Sequence, residues 1–216
     1  MSAQLPSAVE LEFVRRYDHE HARDCLAVKP QGLARRLWFW RGEQLVRHAL
    51  GVAGEPGLVL DVACGAGRFW PVLAEHANRV ILAADPSQDM LDHARTHHGQ
   101  GLLQRIKTFQ SSAFSIGLSA NAVDCVLCLQ LFQHLPSAEL RVALLREFHR
   151  VSRDTVIVAV RVDRPIKPRQ RTSGQLLANK AEIESEFRAA GFRLLKHQDL
   201  LPGCALTRVY VLRKLG

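Results

Sequence analysis

The stretch Leu58 to Phe69 constrains this chain more than any other. An apolar run, Leu58-Val59-Leu60, leads to Asp61, and the small residues Ala63-Cys64-Gly65-Ala66-Gly67 follow Val62. After them comes an amphipathic segment, Arg68-Phe69-Trp70-Pro71-Val72-Leu73-Ala74. The run reads as a buried strand, the small residues as a tight turn, and the remainder as a helix reaching to about Ala77. A strand, a small-residue turn and a helix start together make a nucleotide-type site. The turn lets a ligand approach backbone N–H groups, and the first turn of the helix leaves its donors free.

Two acids give this loop a chemistry. Asp61 stands at the end of its strand, where a carboxylate can accept hydrogen bonds from an ammonium group. Asp85 closes the next apolar run, Val80-Ile81-Leu82-Ala83-Ala84. It lies about 20 residues beyond the loop, where dinucleotide-type folds place the acid that holds ribose hydroxyls. No Gly-Lys-Ser/Thr follows the glycines, which argues against a phosphate-cradling loop.

Four motifs in order extend this reading: Asp61-x-Ala63-x-Gly65-x-Gly67; Asp85-Pro86-Ser87-Gln88-Asp89-Met90-Leu91; Ser111-Ser112-Ala113 with Val123-Asp124-Cys125-Val126; and His134-Leu135-Pro136. With helical spacers between them, they resemble the class I S-adenosylmethionine-dependent methyltransferases, specifically the small type 11 (UbiE-like) group, from about Glu43 to Val160. The chain departs from the family pattern in three places. Ala63 replaces a glycine, Ser112 stands where an acid often holds the adenine amino group, and Ser152-Arg153-Asp154 replaces a Pro-Gly-Gly turn. The resemblance implies S-adenosylmethionine as cofactor and S-adenosylhomocysteine as product. The implied cofactor contacts are Asp61, Ala63, Cys64, Gly65 and Gly67 in the loop, and Asp85, Pro86 and Met90 at the second strand. Ser112, Ala113, Cys128 and Leu129 complete the set.

The remaining chain alternates helices and strands, which predicts an α/β, doubly wound, mostly parallel sheet with helices on both faces. The family resemblance implies seven strands with the last antiparallel. Helices are expected over Ala8–His21, Leu33–Trp40 and Glu43–Leu50, then from a Ser87 cap to about His97, from Ser137 through Phe148, and from Asn179 or Lys180 to Ala190. Strands are expected over Leu103–Phe109, Ala122–Leu129, Thr155–Val160, Phe192–Lys196 and Leu206–Leu212. The 216 residues suit a single domain, residues 1–216, with 1–42 as an N-terminal helical lid. The start of the chain lacks the pattern of a signal peptide and no apolar run approaches membrane-spanning length, so a cytoplasmic protein is expected, as monomer or homodimer.

The five cysteines, Cys25, Cys64, Cys125, Cys128 and Cys204, form no paired framework and read as reduced thiols. Cys125 and Cys128 lie three apart within a strand, on opposite faces, and have no second pair with which to bind zinc. His93 and His97 lie one helical turn apart without acids or cysteines in metal-ligand spacing, so no metal is expected. The net charge is +8, and Arg161, Arg164, Lys167, Arg169 and Arg171 cluster against the single acid Asp163. That loop suits either solvent or phosphate contact. No aromatic residue interleaves it, so it is not a base-stacking platform.

Methyl transfer from a sulfonium needs chiefly alignment and the exclusion of water, with a base only for a protonated acceptor. Ligands of this fold lie beyond the C-terminal strand ends. The segment Cys128 to His134 therefore faces the methyl group, making His134 the candidate base and Gln130 and Gln133 candidate substrate contacts. Tyr17 and Trp40 are candidate lid contacts. An Asn/Asp-Pro-Pro-Tyr/Phe motif is absent after the fourth strand, which disfavours nucleic-acid amino groups as acceptors. A small-molecule acceptor is the leading expectation. The alternatives are an anionic macromolecule (nucleic acid) or phosphorylated glycolipid, and a non-catalytic S-adenosylmethionine-binding regulator.

Overall fold

Short apolar runs become strands. They are β1 (Leu58–Val62), β2 (Val80–Asp85), β3 (Ile106–Gln110), β4 (Val123–Cys128), β5 (Ser152–Arg161), β6 (Phe192–Asp199) and β7 (Thr207–Lys214). The computed structural model describes residues 32–162, 179–200 and 207–216. The expected Ala8–His21 helix with Tyr17, Cys25, Cys204, and Arg164, Lys167, Arg169 and Arg171 of the basic loop lie outside the described residues. The strands form one sheet in the order β3-β2-β1-β4-β5-β7-β6. Strands β1 to β5 pair in parallel, and β7 runs antiparallel between β5 and β6. Among the described residues the sheet is thus mostly parallel, as the alternating pattern predicts, and has the seven strands with the last antiparallel that the family resemblance implies.

The helices are α1 (Leu33–Val52), α2 (Trp70–Leu73), α3 (Gln88–His97), α4 (Gln100–Leu103), α5 (Ala138–Val151) and α6 (Lys180–Ala189). One face of the sheet packs Val126 and Cys128 with Leu144, Phe148, Ile183 and Phe187 of α5 and α6. The other packs Cys125 and Leu127 with Leu45, Ala49, Trp70 and Leu73 of α1 and α2. Strand β4 is therefore buried on both faces from Cys125 to Cys128, as that apolar run requires. Its two thiols lie on opposite sides, and burial pushes Cys125 up to about 12 and Cys128 upward as well. The pairing of β4 with β5 slips between Val123 and Cys125. The extra residue of the slip lies on β5, where Ser152 to Thr155 spans three residues against two on β4.

Several boundaries differ from the sequence expectation: β3 starts at Ile106 because Leu103 ends the unexpected helix α4, β6 runs on to Asp199, and three further differences have physical reasons in the contacts. Leu33–Trp40 and Glu43–Leu50 are one continuous helix, α1. Gly42 costs a helix about 1 kcal/mol, but Leu45, Val46, Ala49 and Leu50 are all nearly fully buried and outweigh it. Helix α2 stops at Leu73 rather than near Ala77: Arg79 takes the Leu73 carbonyl that the Ala77 N–H would need, and Arg105 takes up the free carbonyls beyond it. Arg79 bonds Leu73 O at 3.1 Å, while Arg105 bonds Ala74 O, His76 O at 2.6 Å and Ala77 O at 2.9 Å. Strand β5 begins at Ser152, because Ser152 leaves α5 directly in extended conformation (φ −75°, ψ 145°) and no turn intervenes. Asp124 of the third motif proves structural: its Oδ2 accepts the Leu58 N–H at 2.9 Å and anchors the start of β1.

Candidate active site

The loop after β1 is built on backbone that bends through the left-handed region. Ala63 (φ 54°), Gly65 (φ 53°) and Gly67 (φ 72°) all have positive φ. Ala63 carries this conformation with a Cβ, a strain that a glycine at this position would avoid. At Gly67 no side chain is possible, since a Cβ there would lie 2.5 Å from Cδ2 of the buried Trp70. The turn is closed by Gly67 N–H to Cys64 O at 3.0 Å, and Cys64 N–H reaches Ala84 O of β2 at 3.2 Å.

Asp85 fastens this loop. Its Oδ2 accepts the Gly65 N–H at 2.8 Å and its Oδ1 accepts the Ser87 N–H at 3.0 Å, with the residue only 3% exposed. Ser87 in turn caps α3 through the Met90 N–H, at 3.3 Å. Removing Asp85 therefore removes two bonds to backbone donors even before a ligand arrives. The motif alone, which relates Asp85 to a ribose, carries no sign of this second role.

Asp61 lies in β1 between Ala83 of β2 and Leu127 of β4, and is 4% exposed. Burial, and then the negative charge of Asp85, push its carboxyl up to about 8, with the Trp70 indole acting in the opposite sense. Two buried acids at the ends of adjacent parallel strands, with a positive-φ loop between them, form an acceptor set suited to a ligand with an ammonium and a diol. The residues present fit S-adenosylmethionine on that ground.

The other residues singled out from the sequence gather around this loop or beyond β4. A Cβ placed on Gly65 would lie 3.5 Å from Cε of Met90, so Met90 reaches over the loop. Pro86 is held through its carbonyl by Gln110 Nε2 at 2.7 Å. Ser112 accepts the Phe114 N–H at 3.2 Å and turns the chain after β3, with Ala113 buried beside it. Beyond β4, Phe132–His134 forms one turn of 3-10 helix. Gln133 Nε2 donates to Gln130 O at 3.3 Å, and the same amide lies 3.3 Å from His134 Nε2. His93 and His97 stack with ring centres 3.7 Å apart, and His97 Nδ1 lies 2.8 Å from the His93 carbonyl. Among the described residues no group of three or more His, Cys, Asp or Glu could hold a metal ion.

Next to the loop lies a cavity of about 240 Å³. Its walls include Trp38 and Gly42 of α1, Arg68 and Phe69 after the loop, and Leu129, Gln130 and Gln133 after β4. Ala159 of β5 and Val209 of β7 also line it. Gln130, Gln133 and Leu129 thus share one wall, as the strand-end rule leads one to expect. His134 is not among the lining residues, and Trp40, 52% exposed, leaves the α1 wall to Trp38. Arg68 and Trp38 carry no sequence motif of their own. The one available signal is a lone charged residue in the small and apolar stretch from Ala63 to Leu73.

The sheet order, the left-handed loop and the two buried acids define a class I methyltransferase fold of the S-adenosylmethionine-dependent kind. Residues 59–155 match the family model described as "Methyltransferase domain". The chain is 31% identical over 98 residues, 45% of its length, to an uncharacterized methyltransferase-like protein of Schizosaccharomyces pombe. The match spans about a third (34%) of that curated relative. Among solved structures, magnesium protoporphyrin IX methyltransferase of Synechocystis PCC 6803 with bound S-adenosylhomocysteine superposes with a TM-score of 0.74. Identity there is 18%, and 94% of this chain and 99% of that one are covered. The [4+2]-cyclase SpnF superposes at 0.67, with 19% identity and 81% of each chain covered. Likeness at these identities speaks to the fold.

Proposed function

We propose that this chain transfers a methyl group from S-adenosylmethionine to a small-molecule acceptor by in-line displacement. The observation that carries the reading is the cavity itself, which opens beside the loop and whose wall is the first chain beyond β4, Leu129 to Gln133. An acceptor there would face a cofactor held at the ends of β1 and β2. When bound, the cofactor supplies a methyl already activated by a sulfonium. In this reading the chain positions and encloses. Asp61 receives the ammonium, Asp85 the ribose hydroxyls, and Met90 closes over Gly65. Pro86, Ser112 and Ala113 shape the adenine side, while Cys128 and Leu129 border the methyl.

Trp38 and Gly42, both in the cavity wall, support the reading of the N-terminal segment as a cover over the acceptor. Orientation and water exclusion account for most of the rate such a site can supply. His134 does not line the cavity but lies 3.3 Å from the amide of Gln133, which does, so it is proposed to act on the acceptor through Gln133; His134→Gln should then lower kcat. The assignment is tested by a methyl-transfer screen with labelled cofactor against fractionated cell extract. Label entering the small-molecule fraction supports it. Label found only in lipid, nucleic acid or protein favours a macromolecular acceptor.

A further inference from the structure

We infer that Arg68 makes the cavity a receptor for a carboxylate, and that the methyl acceptor is a small amphipathic molecule with a singly charged carboxylate on an apolar body. The inference rests on reading the cavity as the acceptor site. Among the described residues, Arg68 is the only charged one that lines the cavity. Its guanidinium carbon stands 4.0 Å from the centre of the Phe39 ring and 4.8 Å from that of Phe69. Its Nε is buried and has no hydrogen-bond partner among the described residues. Glu43 acts on it electrostatically, but the Glu43 carboxylate is itself 3.4 Å from Arg47.

A guanidinium keeps its proton in a protein interior, so desolvation without an acid partner is a standing cost in the ligand-free molecule. Burial lowers its pKa, the direction expected for such a cation. Gly42 gives it room, since a Cβ there would lie 2.9 Å from Arg68 Nη2. Stacking on two rings fixes the plane of the fork, and a fixed planar fork matches a carboxylate with two parallel hydrogen bonds.

The rest of the wall sets the body of the ligand. Leu45, Leu129, Ala159 and Val209 are apolar, while Gln130 and Gln133 offer neutral hydrogen-bonding groups. A phosphate dianion would need a second cation, which the described wall lacks. The carboxylate is assigned to the acceptor and not to the cofactor because, of the residues given to the cofactor, the wall contains only Leu129, at the methyl end, and none of Asp61, Gly65, Asp85 or Met90.

The test is calorimetry on the full chain saturated with S-adenosylhomocysteine. The probes are matched acids and amides: 4-hydroxybenzoate with 4-hydroxybenzamide, 4-hydroxycinnamate with its amide, and octanoate with octanamide. At least one acid should bind, about tenfold or more tighter than its amide, the margin of a charge-assisted hydrogen bond. Arg68→Met, checked for an intact thermal transition, should abolish that preference, and Arg68→Lys should keep part of it. S-adenosylhomocysteine should bind wild type and both variants alike. Failure of every acid to bind, or a preference that survives in Arg68→Met, overturns the inference. So does a loss of S-adenosylhomocysteine affinity in Arg68→Met, which would assign the guanidinium to the cofactor. Absence of S-adenosylhomocysteine binding to wild type overturns instead the cofactor reading on which the inference stands.

Discussion

Burial, and then the charge of Asp85, hold the Asp61 carboxyl up to about 8, so at neutral pH this group keeps a proton that an ammonium ligand must displace. The sign follows from linkage. The ligand prefers the carboxylate, so affinity should rise with pH and level off above about 8, falling roughly tenfold per unit below that. Titrations at pH 7 in buffers of different ionisation enthalpy should report close to one proton released. In the ligand-free protein the same raised value destabilises progressively from the ordinary carboxylate range up to about 8. Asp61→Asn should accordingly gain on wild type in thermal stability as pH rises through that window. Asp85 behaves differently. Loss of its bonds from Gly65 and Ser87 should cost about 1–3 kcal/mol, so Asp85→Ala should melt several degrees lower without ligand and also lose cofactor affinity. A melting temperature equal to wild type would mean the loop does not depend on this carboxylate.

Among the elements, α5 and α6 are tied by a buried ion pair. Arg141 Nη2 lies 2.6 Å from Glu186 Oε1 and Arg141 Nε 2.8 Å from Glu186 Oε2, with the side chains 6% and 8% exposed. Among the described residues, Glu186→Ala leaves a buried guanidinium with only the Leu135 carbonyl, at 3.3 Å. It should cost about 3–5 kcal/mol in denaturant unfolding, whereas Arg141→Met with Glu186→Leu should recover much of the loss. Element type was legible in the sequence wherever the hydrophobic period was unbroken: β1, β2 and β4 run close to their apolar stretches, and α3 and α5 start at their Ser87 and Ser137 caps. It was not legible where a distant side chain decides the outcome. Nothing local in Leu73–Ala77 says that Arg79 and Arg105 will take its carbonyls. Gly42 likewise reads as a break until the burial of Leu45 and Leu50 is known.

Across the whole molecule, the loop and its two acids were legible because backbone conformation and strand-end position are written in local residue types. The cavity was not, because α1, the segment after β4, and strands β5 and β7 reach it from distant parts of the chain. Arg68 illustrates the difference: its place after Gly67 is plain, but the aromatic rings around it include one from another element, Phe39. The fold by itself does not dictate the reaction, since a structure described as a [4+2]-cyclase shares it. No helix among the described residues is long and apolar enough to cross a membrane.

The central claim, that this site binds S-adenosylmethionine, is tested most directly by titrating the intact chain with S-adenosylmethionine, following heat and melting temperature together. One site with micromolar affinity, about −8 kcal/mol, is predicted. A hundredfold excess over Kd should add about 2.7 kcal/mol to the folded state, raising the melting temperature by several degrees. A folded protein that gives neither heat nor a shifted transition at millimolar ligand would contradict the account.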